Sequence, residues 1–343
     1  AMRAWATVGQ RDLQVAAVIS DLMAGRPAIY TTFLAYDEVA HHSGIERPET
    51  LTALRKVDRA IGRLLRVAER APRPYEVVVL SDHGQSQGET FLDRYGLTLE
   101  DLVGNLTGDA EVAELEDLDE ATAYIRASVA EASSEDSTAG RTIAVATRNQ
   151  RPDRQEAFAE PSPTEADLPE VVVMASGNLG LISFPRVPER ATLEWLDERY
   201  PGLVEGLASH PGIGFVLVDS EADGGVVIGG EGRHLIEAGP IEGEDPLAGF
   251  GPKAARHVLR THRFATCPDV VVNSTYWAEL DEVAAFEELV GSHGGLGGTQ
   301  SFPFLLHPGK LPWPSEEVVG SERIHAILTA WMDRDRPPAI DQG

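Results

Sequence analysis

Apolar positions along this chain fall into two kinds of run. Short, nearly continuous stretches rich in β-branched and aromatic residues lie at 28–36 (AIYTTFLAY), 76–84 (EVVVLSDHG), 171–176 (VVVMAS), 179–184 (LGLISF) and 268–277 (PDVVVNSTYW). Runs of this length and composition predict buried strands. The second kind is periodic. After Pro48, apolar residues fall at Leu51, Leu54, Val57, Ile61, Leu64, Leu65 and Ala68, the spacing of a helix with one buried face. Residues 10–24 also alternate in helical fashion, and Gly25 and Pro27 end them. Strand, helix, strand with continuous apolar strands predicts an α/β layered core with a mainly parallel sheet, covered on both faces.

The middle of the chain has another texture. Residues around 108–120 are strongly acidic, and 149–168 are rich in Pro, Glu, Asp and Gln. The pattern predicts a helix around 119–131 and a solvated stretch over 149–168. A helix is expected over 190–208. GIGFVLVDS and GGVVIGG then read as adjacent antiparallel strands with a turn at Asp223-Gly224-Gly225. A final helix is expected over 315–333. The resulting division is a first part of the core at 1–103, an acidic α+β insertion or cap at 104–256, and a C-terminal part of the core at 257–343.

Charge and cysteine usage narrow the chemistry. The 343 residues carry a formal net charge of −26, which repels phosphate backbones, so no nucleic-acid groove is expected. Small phosphate esters remain open as substrates, because bound divalent cations reverse the local field. Cys267 is the single cysteine, which leaves His and Asp/Glu as the donors for any metal. No stretch approaches the roughly 18 apolar residues of a spanning helix, and AMRAWATVGQ has no signal core. The expectation is a soluble domain, with an extracytoplasmic location or a membrane segment outside this chain left open.

Three segments carry candidate chemistry. In Asp37-Glu38-Val39-Ala40-His41-His42-Ser43-Gly44, Asp37 and His41 are four apart, so one helical turn aims both at one point. In Ser81-Asp82-His83-Gly84, an adjacent Asp and His sit where a strand breaks into a loop. In Ser292-His293-Gly294-Gly295, a His sits in a glycine-rich loop. Ligands in open α/β sheets collect beyond the carboxyl ends of strands, where these segments are expected to meet. Asp37, His41, Asp82, His83 and His293 together form an oxygen-and-nitrogen donor set of the kind zinc accepts. Two such metals about 3.5–4 Å apart can clamp the attacking and leaving oxygens of a phosphoryl transfer.

In order and spacing, D-x-x-x-H-x-x-G, V-D-x-x-I-G-x-L-L at 57–65, S-D-H-G and H-G-G resemble the type I phosphodiesterase/nucleotide pyrophosphatase branch of the alkaline phosphatase superfamily. The resemblance covers 28–88 and 268–308. It implies an alkaline-phosphatase-like fold, hydrolysis of phosphodiester or nucleotide pyrophosphate bonds in a small phosphate-ester substrate, and two divalent metal ions, zinc by preference. It also implies that Asp37, His41 and His293 hold one metal while Asp82 and His83 hold the other. The family's Thr or Ser nucleophile and one further Asp normally lie well upstream of the D-x-x-x-H segment. Only 36 residues precede Asp37, and Asp21, Thr31 and Thr32 lack the expected setting. The nucleophile is therefore unidentified, and a preceding segment of the same protein is expected to carry it.

Other residues take weaker assignments. Glu38, His42 and His307 are candidates for supporting the metal ligands or touching substrate, whereas His210, His234, His257, His262 and His325 lack a partner spacing and read as structural or exposed. Asn178 reads as a turn residue, and Gly229-Gly230-x-Gly232 follows a hairpin and is not read as a phosphate loop. Two other functions stay open: another enzyme of the superfamily (phosphomonoesterase, sulfatase or phosphoglycerate mutase-like), or an inactive metal-binding or interaction domain.

Overall fold

The apolar runs of the middle and C-terminal stretches condense into one eight-stranded sheet in the computed structural model, which describes residues 2–108, 110–114 and 168–333. In chain order the strands are β1 (Val79–Leu80), β2 (Ser86–Gln87), β3 (Val112–Glu114), β4 (Val171–Ser176), β5 (Leu179–Ser183), β6 (Ile213–Ser220), β7 (Gly224–Gly229), β8 (Gly232–Leu235), β9 (Ile241–Gly243), β10 (Val270–Ser274), β11 (Tyr276–Trp277), β12 (Glu282–Val283), β13 (Gly291–Ser292) and β14 (Leu305–Leu306). The large sheet runs β3-β4-β5-β10-β6-β7-β8-β9. β10 lies in its middle, with Val270 opposite both Ile182 and Val218. The C-terminal run thus shares one layer with strands of the 104–256 stretch.

Direction is where the expectation of a mainly parallel sheet meets a different result. Within the large sheet only β3–β4 is parallel, and every other pair is antiparallel. The physical reason is two-sided burial. Val216, Val218, Val270, Val272 and Ile182 face one core with helices α4 (Phe91–Tyr95), α5 (Leu99–Thr107), α6 (Leu193–Arg199) and α7 (Leu203–Ala208). Phe215, Leu217, Val227 and Val271 face a second core with α8 (Ala254–His262). A strand covered on both faces reads as continuously apolar whatever its direction, so the run reports burial and not parallel pairing. The β6–β7 hairpin forms as expected, with Ser220 paired to Gly224 across a turn at 221–223, two residues earlier than the sequence suggests.

The two runs nearest the metal motifs depart furthest from expectation. Residues 28–34 are irregular and Tyr30 is 80% exposed. Only Val79 and Leu80 of the second run form a strand, and they pair antiparallel with Leu306 and Leu305. Among the described residues, no strand lies beside 28–34 to take its backbone groups, and without that partner β-propensity alone does not make a strand.

The helices form where their periodicity places them, but the helix after Pro48 buries a different face from the expected one, with only Leu64 of the expected apolar stripe buried. α1 (Met2–Met23) packs Val15, Val18 and Leu22 on Ala60 and Leu64 of α3 (Pro48–Ala68), which opens with Pro at its first turn. The buried stripe of α3 runs through Thr50, Ala53, Ala60 and Leu64, leaving Leu51, Leu54 and Leu65 exposed. α2 (Ala35–Ser43) precedes it, and the Thr50 hydroxyl donates to Gly44 O at 2.7 Å, tying the two helices at their junction. The expected 190–208 helix is two, split at Tyr200–Gly202, where Gly202 takes a left-handed conformation. The final helix α9 is Ser321–Asp333. The expected helix at 119–131 and nearly all of 149–168 lie outside the described residues. Among those described, no helix is long and apolar enough to cross a membrane.

Candidate metal centre

α2 is the element that makes D-x-x-x-H work. Its first turn carries Asp37 and Glu38 and its last carries His41 and His42, the arrangement the helix dipole favours at both ends. One helical turn puts His41 Nε2 3.3 Å from Asp37 Oδ2. His293, on the loop after β13, brings its Nε2 to 3.8 Å from Asp37 Oδ1. One ligand atom from each of Asp37, His41 and His293 lies within 4.8 Å of the others.

Surrounding groups fix these side chains. His41 Nδ1 lies 2.8 Å from the carbonyl of Gly291, which assigns the proton to that nitrogen and turns Nε2 toward Asp37. The backbone closes the same contact, since Val290 N donates to His41 O at 2.9 Å. Gln85 donates from Nε2 to the Asp37 carboxylate and, at 3.3 Å, to Asp37 O. The His83 ring stacks on His293 with centroids 3.7 Å apart, and its Nδ1 lies 2.9 Å from Gly84 O. Gly84 must be glycine: a Cβ there would sit 2.2 Å from Thr299 O, in a loop locked by Gly84 N donating to Gln300 O.

Burial alone acts to raise the Asp37 carboxyl, but hydrogen bonds and charge from His293 and His41 outweigh it and hold the group far below the usual carboxylate range. Burial likewise acts to lower His41, but the hydrogen bond and charge of Asp37 dominate and push it up to about 9. Without a metal, Asp37 and His41 form an ion pair at neutral pH. A cation at Nε2 must displace that proton.

The sequence candidates sort as follows. Asp37, His41 and His293 converge, and His83 stacks against them. The Asp82 side chain is 72% exposed; its carboxylate accepts from His83 N at 3.1 Å and lies 3.6 Å from His83 Nε2. Glu38 and His42 pair with each other at 3.8 Å. His307 stacks on Trp313 and neighbours Trp331, beside the C-terminal helix, and its Nδ1 lies near Pro308 O. Of the remaining histidines, His210 packs on Phe91 and Tyr95, His234 meets Asp245 at 3.1 Å, and His262 meets Asp219 at 3.5 Å. Sequence reasoning missed Gln85 and Gly291. Gln85 directly follows S-D-H-G, which is its one visible signal; Gly291 acts through a backbone carbonyl, which no residue type announces.

Two imidazoles and a carboxylate, with one imidazole oriented by a backbone carbonyl, form a donor set that could hold a divalent cation. The type I phosphodiesterase / nucleotide pyrophosphatase family model matches residues 5–183, just over half of the chain, and the chain belongs to that family. Its chemistry is hydrolysis of phosphate esters. Asp37, His41, Asp82 and His83 lie inside the matched span, and His293 lies beyond it. No curated protein and no solved structure gives a significant match.

Proposed function

We propose that this chain cradles two divalent cations, zinc by the chemistry of its donors, for hydrolysis of a phosphodiester or nucleotide pyrophosphate bond in a small phosphate ester. Asp37, His41 and His293 hold one ion, and Asp82 and His83 hold the other. The observation that carries this reading is the convergence of Asp37, His41 and His293 from an N-terminal helix and a loop about 250 residues later, their ligand atoms within 4.8 Å of one another. Bound zinc would polarise the phosphoryl group and lower the pKa of the attacking hydroxyl or water. The chain's own residues prepare the cradle. His41 keeps its Nδ1 proton on Gly291 O and offers Nε2; Gln85 orients the Asp37 carboxylate; the stack of His83 on His293 ties the S-D-H-G loop to the H-G-G loop. With 55 acidic against 29 basic residues, the chain gains the positive field an anionic ester needs from the cations. The attacking hydroxyl is left to a residue outside these three segments.

The test is elemental analysis of the purified chain, Asp37→Ala and Asp82→Ala, with bis-p-nitrophenyl phosphate turnover in parallel. About one to two zinc ions per chain are expected, reduced by either substitution. A wild-type chain that takes up no metal when zinc is supplied would overturn the reading. Metal without turnover would mean that the cradle forms here while the nucleophile does not lie in this chain.

A further inference from the structure

The loop that carries His293 is held by two side chains with no surface at all. Asn178 and Asn273 are both 0% exposed. Asn178 occupies the second position of the two-residue turn between β4 and β5, after Gly177 at φ +57°. Its Oδ1 accepts from Gly295 N at 3.1 Å and from Gln300 Nε2 at 3.1 Å, while its Nδ2 donates to Leu296 O at 2.9 Å. Asn273, on the neighbouring β10, accepts from Leu296 N at 2.7 Å and donates to Leu296 O at 3.1 Å. Both backbone groups of Leu296 are thus gripped from the large sheet. The turn itself presses on the ligand residue, since a Cβ on Gly177 would lie 1.9 Å from His293 O. It is fixed on its far side as well: Gly177 N donates to the Glu287 carboxylate, Phe286 N donates to Gly177 O at 2.8 Å, and Ser274 N donates to Asn178 O at 3.0 Å.

Turns are ordinarily solvated, and a fully buried turn amide with donor and acceptor both engaged is a costly construction unless something depends on it. What depends on it is the path of residues 293–296. From these contacts we infer that Asn178 is a positioning residue: it transmits the rigidity of the eight-stranded sheet to the H-G-G loop and sets where His293 stands relative to Asp37, His41 and His83. Asn273 and Gln300 complete the clamp. The Asn178 side chain bonds to Gly295 N, Leu296 O and Gln300, so its effect passes through the Gly295–Leu296 backbone. The inference rests on the metal-centre reading for its consequence, but not for its mechanical part.

The experiment compares the wild-type chain with Asn178→Ala and the milder Asn178→Ser. Amide hydrogen exchange is read in the metal-free protein, and zinc affinity is read by titration, with His293→Ala as the reference for loss of the ligand. In the Asn178 variants, exchange over residues 293–297 is expected to accelerate by about tenfold or more while residues 213–229 keep their protection. Zinc affinity is expected to fall about 10- to 100-fold, the range for losing a group that orients a ligand. Unchanged exchange over 293–297 overturns the inference whatever the metal result, and so does loss of protection spread equally over the sheet in both variants. A loosened loop with unaltered zinc affinity overturns the positioning role. Zinc binding by the wild type that His293→Ala leaves intact instead sinks the metal-centre reading, and the exchange result still stands or falls by itself.

Discussion

The large sheet and the metal-motif region are built by different means. In the sheet, strands of three to eight residues are paired by backbone ladders, and the central side chains Val216, Val218, Val226, Val270 and Val272 are all 0% exposed. In the motif region the strands β1, β2, β12, β13 and β14 have two residues each. Side chains do the joining there: Ser86 Oγ donates to Gly297 O at 2.8 Å and accepts from Gln300 N at 3.1 Å, and Thr299 Oγ1 donates to Gln85 O at 2.5 Å. The sheet gains its stability from apolar area, which is insensitive to pH and metal. The motif region holds its shape through polar groups and an ion pair, so its order is open to both. The proposed metal centre would need that second kind of construction, because its ligands would have to stay partly accessible and able to exchange protons for a metal. A framework of the first kind must then hold it in place.

The contrast can be broken most forcibly in the sheet. Leu217→Ala empties a site 1% exposed and is expected to destabilise the fold by about 2–5 kcal/mol, read by denaturant unfolding. Equal effects from Tyr30→Ala, at 80% exposure, would show that the motif region contributes to the core as the sheet does. Next in size, Asp37→Ala is expected to lower zinc affinity by roughly 100-fold or more while thermal unfolding of the sheet moves little, since the removed carboxylate binds His41 and His293 and not the sheet.

The pH dependence sharpens the same division. His41 is raised in the fold to about 9, so its pairing stabilises the metal-free protein below its ordinary value near 6.5 and that contribution fades as pH rises through about 9. Asp37 is lowered, so its contribution is present above the ordinary carboxylate range and is lost on acidification below it. In the proposed centre zinc would work in the opposite sense, because binding at His41 would expel its proton. Apparent zinc affinity should rise with pH by up to about tenfold per unit as pH climbs toward about 9 and level off above it. Calorimetric titration in buffers of different ionisation enthalpy measures the released proton, and a release of zero at pH 7 would remove His41 from the ligand set. The smallest effect belongs to the helix caps. Thr98 and Asp101 form a reciprocal capping box on α5, and Thr98→Ala should cost about 1 kcal/mol, visible as a small shift in Tm with zinc binding unchanged.

Much of this was legible in the chain. The strands at 171–176, 179–184 and 268–277, the β6–β7 hairpin and the helix after Pro48 all followed from local pattern, because each is settled by its own apolar spacing and turn residues. The motif residues Asp37, His41, His83 and His293 were legible by type and spacing, and three of them converge with the fourth stacked alongside. The strand expected at 28–36 did not form, since a strand requires a partner that local sequence does not specify. Asp82, expected beside His83 in one donor pair, lies 3.6 Å from His83 Nε2 with its side chain 72% exposed, an exposure that spacing within the S-D-H-G turn does not report. His307 lay close to His293 in sequence, but its ring packs on Trp313 and Trp331, a contact that sequence proximity does not reveal.

By itself the sequence determined the family, the Asp and His residues of its motifs and the positions of most local elements, because these depend on residue identity within a few turns of chain. Only the tertiary structure decided the direction of the strands, the insertion of β10 between β5 and β6, and the roles of Gln85, Gly291 and Asn178. Those are matters of which distant backbone arrives beside which side chain. A buried amide and a carbonyl gain their meaning from that meeting, and nothing in their own neighbourhood of the chain encodes it.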